Sequence, residues 1–484
     1  MRRRLALLLA CVFGIGIDGP ARGDDGLVRR PNIVLLLLDD QDAYSPMWEA
    51  MPVAASLARD RGLTFGNAFA PTPICTPARV TLISGKLAHN TGVYTIAGPT
   101  GGWRYPANST QSFATVLDNL GYTNALIGKG WGFVGLPPGF DYSCILHGDR
   151  MYEGYGYDVA EQHRGGAGGS YSPGSYVTDF LADRAAAFLR DQGRSDQPFF
   201  LYVAPTAPHL PLDPAPRHQA YANKRWKNAI PKKPNFNERD VSDKSDWLRT
   251  SAAVRSAAVP YAQGEFARRM GCLMAVDEMV ARIRNILVAQ GKWDRTVLII
   301  TSDNGYNLGS HRLIHKMAPY EESVRVPLVI AGGGIPRGEI DRIVGLHDIG
   351  PTLITLAGSG AWPIYMDGKS LMPFLRQGSD EDIPWRDALA LEYNGGGVHP
   401  GYNPGGPMGP GYSMDIPTYR AIRTDTEKYI RYASGEEELY DLRSDPFELN
   451  NRLTNKRDRA VLARRDALKA RLQLLLRSSG PENP

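Results

Sequence analysis

Cys75 stands in the stretch PTPICTPARVTLISGK, residues 71–86, two positions before Pro77 and four before Arg79. In a chain with only four cysteines, three readings of this one are open: a thiolate nucleophile, a metal thiolate, or a small buried apolar side chain. Elsewhere, four oxygen donors come as two adjacent pairs, Asp39 with Asp40 and Asp303 with Asn304. Such a set of hard ligands suits Ca²⁺ or Mg²⁺ rather than zinc, and without a cation its acids would repel one another. Taken singly, a DD or DNG sequence is an ordinary cap or turn. Arg79, Lys129, His209 and Lys316, the last close to His311 and His315, add positive charge. A divalent ion plus several cations makes a pocket for a dianion-like group, with donors placed where charge develops during transfer. Each lysine or arginine taken alone reads as a solvated surface charge. His209, in APTAPHLP, reads equally as a loop histidine or a general acid.

These residues need elements to bring them together. Ile33 to Leu38 is a continuous apolar run that stops at Asp39 and Asp40; TNALIGKG ends at Lys129; Phe199 to Val203 leads through a loop to His209; and TVLIITSDNG ends in Asp303 and Asn304. Runs of this kind are the signature of buried parallel strands. Helical patterns lie between them at Ser112 to Leu120, Thr178 to Arg190 and Glu265 to Gln290, the last with Val276, Val280, Ile283 and Leu287 on one face. Alternating strands and helices predict an α/β fold with a large, mostly parallel central sheet flanked by helices. In such sheets functional groups gather outside the carboxyl ends of the strands, so the six residues at these four ends can converge.

With 484 residues, 43% of them hydrophobic and 22% charged, the chain is globular and long enough for a large domain with an appendage. A net charge of +4 gives no argument for a nucleic-acid partner, so any preference for anions must be local. The start, MRRRLALLLACVFGIGIDGPARGDDG, has the layout of a secretory signal peptide over residues 1–23, with an apolar run too short for a membrane span. Export to a periplasmic or extracellular space is expected, and Cys11 offers an alternative lipid-attachment site. Cys75, Cys144 and Cys272 then remain; a Cys144–Cys272 disulfide would leave Cys75 as the odd thiol, a pairing sequence alone does not establish. Residues 24–375 read as the catalytic domain and 376–484 as a smaller C-terminal subdomain. Within the latter, the Gly/Pro-rich residues 392–418 read as a long loop or lid, followed by a short antiparallel sheet and a basic amphipathic helix expected to pack on it rather than on a membrane.

CTPARVTLISGK carries the Cys-x-Pro-x-Arg core and small-residue helix that resemble sulfatases of the formylglycine type. NIVLLLLDD, IGK, APTAPH, TSDNG and HKMAPYEESVRVPLVI follow in the family's order, and EEELYDLRSDPFELNN looks like its C-terminal stretch, so the likeness covers nearly the whole mature chain. The resemblance implies an alkaline-phosphatase-like fold and hydrolysis of sulfuric esters. It implies that a maturation enzyme oxidises Cys75 to Cα-formylglycine (3-oxoalanine), whose hydrate offers one hydroxyl to attack sulfur and another to expel sulfate. It further implies Asp39, Asp40, Asp303 and Asn304, with residue 75, as ligands of Ca²⁺ or alternatively Mg²⁺. Arg79 would orient the hydrate, Lys129 and Lys316 would hold the sulfate oxygens, and His209 would serve the leaving-group oxygen.

One position departs from the family pattern: many members carry a histidine two residues after the lysine that matches Lys129, whereas GKGWGF has Trp131 there. The base is then unassigned, with His147, His311 and His315 as candidates. HNTGVYTIAGPTGGW and GLPPGFDY are similar to segments of sulfatases acting on glucosamine 6-sulfate units, which suggests a sulfated carbohydrate substrate. Trp103, Trp131, Tyr155 and Tyr157 are candidate stacking surfaces for sugars, and Asn108 opens a glycosylation sequon. Two other readings stay open: a phosphodiesterase or phosphonate hydrolase of the same superfamily, and a catalytically silent protein that binds sulfated glycans.

Overall fold

The apolar run before Asp39 is a strand buried along its whole length, β1 (Asn32–Leu38). Ile33, Leu35 and Leu37 face one core, while Val34, Leu36 and Leu38 face another. A strand covered on both sides has no place for polar alternation, which is why it reads as nearly continuous leucine. The computed structural model describes residues 26–96, 100–101, 110–250, 258–395 and 416–480. The expectations for residues 1–23, Cys11, Trp103 and Asn108, and for residues 396–415 of the Gly/Pro stretch, lie outside the described residues.

Around β1 stand β2 (Gly62–Phe65), β3 (Thr123–Gly128), β4 (Tyr142–His147), β5 (Asp158–His163), β6 (Gly169–Tyr171), β7 (Phe199–Ala204), β8 (Thr296–Ser302), β9 (Leu328–Gly332) and β10 (Gly338–Ile340). They form one ten-stranded sheet in the order β10-β2-β9-β8-β1-β7-β3-β4-β5-β6. Only β9 and β5 run against the others, and the central five strands are parallel to one another. One face is covered by α3 (Val177–Gln192) and α4 (Ala258–Ala289), the other by α1 (Cys75–Ser84), α2 (Phe113–Asn119) and α5 (Ile349–Leu356). Every residue of α1 is buried, and the helix ends at Gly85 with a left-handed φ of 68°. Pro77 is the third residue of α1, inside the first turn, where a missing N–H breaks no helical bond.

A second sheet is an antiparallel meander of β11 (Ala388–Tyr393), β12 (Tyr419–Thr424), β13 (Glu427–Tyr432) and β14 (Glu437–Asp441). Glu392, read as the start of the Gly/Pro loop, is instead buried inside β11. The last helix, α6 (Arg459–Leu475), lays Val461, Leu468, Leu472 and Leu475 on Ala388, Ile422, Tyr429 and Leu439, so its apolar side is used within the protein. No helix among the described residues is long and apolar enough to cross a membrane.

Buried ion pairs tie this sheet to the segment that follows Lys316. Glu321 meets Arg423 and Lys428 at 2.9 Å each, its backbone N–H donates to Glu448 at 2.8 Å, and Lys428 donates to the Pro319 carbonyl at 3.0 Å. On its other side Glu322 pairs with Lys233 at 2.7 Å. Removing one partner of such a pair leaves an uncompensated buried charge, which is strongly destabilising.

The disulfide raised as a possibility is absent: Cys144 in β4 and Cys272 in α4 are buried free thiols. Their sulfurs have different surroundings, Glu161 and Tyr142 for one, Asp213 and Tyr176 for the other, and burial pushes each thiol up to about 12.

Lys129 leaves the sheet through a sharp turn at Gly128, whose φ is 107°. A Cβ there would lie 2.1 Å from the Ala204 carbonyl oxygen, the same oxygen that accepts the Lys129 N–H at 2.8 Å. Gly128→Ala is therefore expected to lower stability by about 3 kcal/mol, whereas the nearby Gly130→Ala, whose Cβ would meet the Phe133 ring at 3.4 Å and Ile145 at 3.8 Å, costs less than about 1 kcal/mol. Denaturant unfolding of the two variants checks this, and equal midpoints would refute it.

Candidate active site

Register builds the site. β1 and β8 pair in parallel with Leu38 opposite Ser302, so Asp39–Asp40 and Asp303–Asn304 leave the sheet side by side. The Asp303 N–H donates to the Leu38 carbonyl at 3.1 Å, and the Asp40 N–H donates to Asp303 Oδ1 at 3.1 Å. Asp40 sits in the left-handed region at φ 68°, a conformation that aspartate tolerates better than most side chains. Arg269 of α4 donates to its carbonyl and, at 3.0 Å, to that of Pro208. Asn304 Nδ2 donates to Asp40 Oδ1 at 2.8 Å. α1 brings Cys75 and Arg79, one turn apart and hence on one side of the helix. Arg79 Nε donates to Asp303 Oδ2 at 2.8 Å, its Nη1 donates to the Lys129 carbonyl at 2.9 Å, and its Nη2 lies 3.6 Å from Asp39.

The two lysines complete the ring of charge. Lys129 Nζ meets Asp39 Oδ2 at 2.6 Å; Lys316 Nζ lies 2.5 Å from Asp40 Oδ1 and 2.7 Å from Cys75 Sγ. Cys75 Sγ is 3.9 Å from Asp39 Oδ1. His209 Nε2 lies 3.7 Å from Asp40 Oδ2, too far for a hydrogen bond. Its Nδ1 faces the Leu210 carbonyl, which only accepts, so Nδ1 carries the hydrogen and Nε2 is the nitrogen left for a substrate. All the residues expected at the site therefore converge, and their side chains are almost wholly buried.

Burial raises the Asp39 and Asp40 carboxyls, but Lys129 beside the first and Lys316 beside the second outweigh it and hold both below the usual range. Asp303 goes the other way: burial and the Asp39 charge push it up to about 6 in spite of Arg79. Burial likewise pulls His209 down to about 4 against the attraction of Asp40, and pushes the Cys75 thiol up.

These residues fit a hard divalent cation. Ligand atoms of Asp39, Asp40, Cys75 and His209 lie within 4.8 Å of one another, and the buried Asn304 Oδ1 has no hydrogen-bond partner. An orphaned amide oxygen among three carboxylates is an acceptor set that an oxygen-seeking ion would satisfy.

Of the histidines considered for the missing base, His311 is held by Glu238 at 2.6 Å and stacks on Tyr320, His315 Nδ1 meets the Tyr306 hydroxyl at 3.2 Å, and His147 closes β4 opposite Asp158. The histidine that joins the Asp39–Asp40–Cys75 group is His209. Trp131 is buried against Phe133 and Phe140, and Tyr157 is buried with its hydroxyl on the Ser175 carbonyl, so neither is a sugar-stacking surface; Tyr155 is exposed and leans on Tyr176. Two contributors were not legible in the sequence, Arg269 and Tyr152. Tyr152 stacks on His209 with ring centroids 4.0 Å apart and carries Lys129 Nζ 4.8 Å from its ring centre. Its one signal is its place in the loop leaving the carboxyl end of β4.

The Sulfatase family model matches residues 31–359, and the model for the N-sulphoglucosamine sulphohydrolase C-terminal region matches residues 309–477. The chain is 30% identical to N-acetylglucosamine-6-sulfatase of Capra hircus over 96% of its length and 86% of that protein. It is 31% identical to an arylsulfatase of Volvox carteri over 97% of its length and 78% of that protein. A solved complex with the substrate D-glucosamine-2-N,6-O-disulfate superposes with a TM-score of 0.76 at 24% identity, covering 92% of this chain and 97% of the other, which shows a shared fold. With a matching family model over most of the chain and relatives similar over nearly all of it, the protein belongs to the sulfatase family, hydrolases that act on sulfuric ester bonds.

Proposed function

We propose that this enzyme removes the 6-O-sulfate of N-acetylglucosamine units in a sulfated glycan, using Cys75 in its oxidised form and a divalent cation, Ca²⁺ before Mg²⁺. The convergence of Asp39, Asp40, Asp303 and Asn304 on Cys75 inside one buried pocket is the observation that carries the reading. The sugar assignment rests on the similarity to N-acetylglucosamine-6-sulfatases. Export and maturation by a formylglycine-generating enzyme belong to the same proposal.

Asp39, Asp40, Asp303 and Asn304 would hold the cation, which supplies Lewis-acid charge at the attacking group. Oxidation of Cys75 supplies an aldehyde whose hydrate carries the attacking oxygen. Lys129 and Lys316 face the pocket from two sides and neutralise sulfate oxygens as the S–O bond to the sugar breaks. Arg79, pinned by Asp303 and the Lys129 carbonyl, keeps residue 75 and Lys129 in fixed relation. His209, with its Nδ1 hydrogen committed to Leu210, would turn Nε2 to the departing sugar oxygen and protonate it as the imidazolium, a form that burial disfavours and the Asp40 charge favours. A primary sugar alcohol is a poor leaving group, so this proton accounts for a large part of the rate.

The test is sulfate release from N-acetylglucosamine 6-sulfate by the full chain coexpressed with a maturation enzyme. Preference for the matching phosphate ester, or tight binding with no release once residue 75 is converted, would overturn the proposal. The peptide containing residue 75 should weigh about 18 Da less than its thiol form. Cys75→Ala should abolish turnover while leaving the unfolding transition in place; full activity in that variant would refute the assignment. By calorimetric titration with Ca²⁺, Asp303→Ala should weaken binding by at least about tenfold, and unchanged affinity would remove Asp303 from the ligand set.

A further inference from the structure

The His209 imidazole is fixed in its own plane by Nδ1 on the Leu210 carbonyl, yet one hydrogen bond does not stop the ring from tilting about it. The second constraint is the Tyr152 ring, parallel to the imidazole within 14° at a centroid distance of 4.0 Å. The same ring lies 4.8 Å from Lys129 Nζ, so one side chain touches both the group at the leaving oxygen and a group at the sulfate. The loop bearing it is itself braced. Gly154 carbonyl accepts from Val177 N–H at 2.9 Å, Arg150 pairs with Glu153 at 2.7 Å, and Met151 packs against the core beneath the sheet.

The geometry points to Tyr152 as a positioning residue that holds the His209 imidazole face-on, so that Nε2 meets the departing sugar oxygen. This deepens the sulfatase reading and rests on it. The ring does the holding, through its contacts with His209 and Lys129, while the hydroxyl, its pKa raised by burial, feels the charges of Lys129, Cys75 and Asp39. Its influence should therefore scale with how much the leaving group needs a proton. A sugar 6-hydroxyl departs as an alcohol and needs one; 4-nitrophenoxide is stable as an anion and does not.

The experiment measures kcat and KM for N-acetylglucosamine 6-sulfate and 4-nitrophenyl sulfate in wild type, Tyr152→Phe, Tyr152→Leu, His209→Ala and the Tyr152→Leu/His209→Ala double variant. Tyr152→Leu should lower kcat on the sugar sulfate about 100-fold and on 4-nitrophenyl sulfate less than about tenfold, the latter through Lys129. Tyr152→Phe keeps the ring and should restore kcat to within about threefold of wild type. In the His209→Ala background, Tyr152→Leu should cost no more on the sugar sulfate than the loss of less than about tenfold that passes through Lys129, because the remainder of its effect and that of His209→Ala remove one function. Equal losses on the two substrates, a Phe variant as impaired as Leu, or an undiminished loss without His209 would overturn the proposal. Failure of the sulfatase reading looks different: wild type would release sulfate from neither substrate.

Discussion

Three carboxylates, Asp39, Asp40 and Asp303, are forced into one buried pocket by the in-register pairing of β1 with β8, and their mutual repulsion governs everything around them. Two like unit charges about 4 Å apart in a medium of effective dielectric constant about 20 repel by roughly 4 kcal/mol. Arg79, Lys129 and Lys316 answer that repulsion one against one, each with a carboxylate oxygen within hydrogen-bond reach. The balance is uneven, however. Asp303 is the acid pushed upward and Asn304 Oδ1 is the acceptor left alone, and both lie on the β8 side. A cation placed among these oxygens relieves both at once.

The parts of the site carried by regular structure were legible in the sequence. Asp39, Asp40, Lys129, Asp303 and Asn304 each follow a continuous apolar run, and a strand buried on both faces leaves no ambiguity about where it ends. Cys75 and Arg79 were legible through the Cys-x-Pro-x-Arg motif, whose spacing turns out to be one turn of α1. Irregular segments have no such period. In GDRMYEGYGYD, three tyrosines look alike in sequence; Tyr155 and Tyr157 drew attention, while Tyr152 reaches His209. Arg269 was hidden for a different reason. It occupies a helix whose buried face is mostly apolar, with Glu265 and Asp277 the other buried charges, and its value lies in backbone carbonyls of Asp40 and Pro208 that no side-chain pattern reveals. Trp131 shows the converse, a position marked by family likeness that the fold uses for packing beside Phe133.

Lys129 directly follows β3, and His209 lies in the loop after its neighbour β7. The sheet fixes where the two segments leave it, and the Tyr152 ring laid across both side chains ties their ends together. In the proposed chemistry these two groups act on opposite ends of one breaking bond and have to be held to fractions of an ångström, which a shared rigid surface does at little entropic loss.

The ion pairs between Glu321 and the small sheet give that sheet a second meaning. Lys316 lies only a few residues before Pro319 and Glu321, whose anchors are Lys428, Arg423 and Glu448 on or just beyond the meander. The approach of Lys316 to its partners at the pocket is thus underwritten by residues more than a hundred positions downstream. Damage at the far carboxyl-terminal strands would then surface first as a Lys316 ammonium displaced from Asp40 and Cys75, well before any helix or strand of the main sheet lets go.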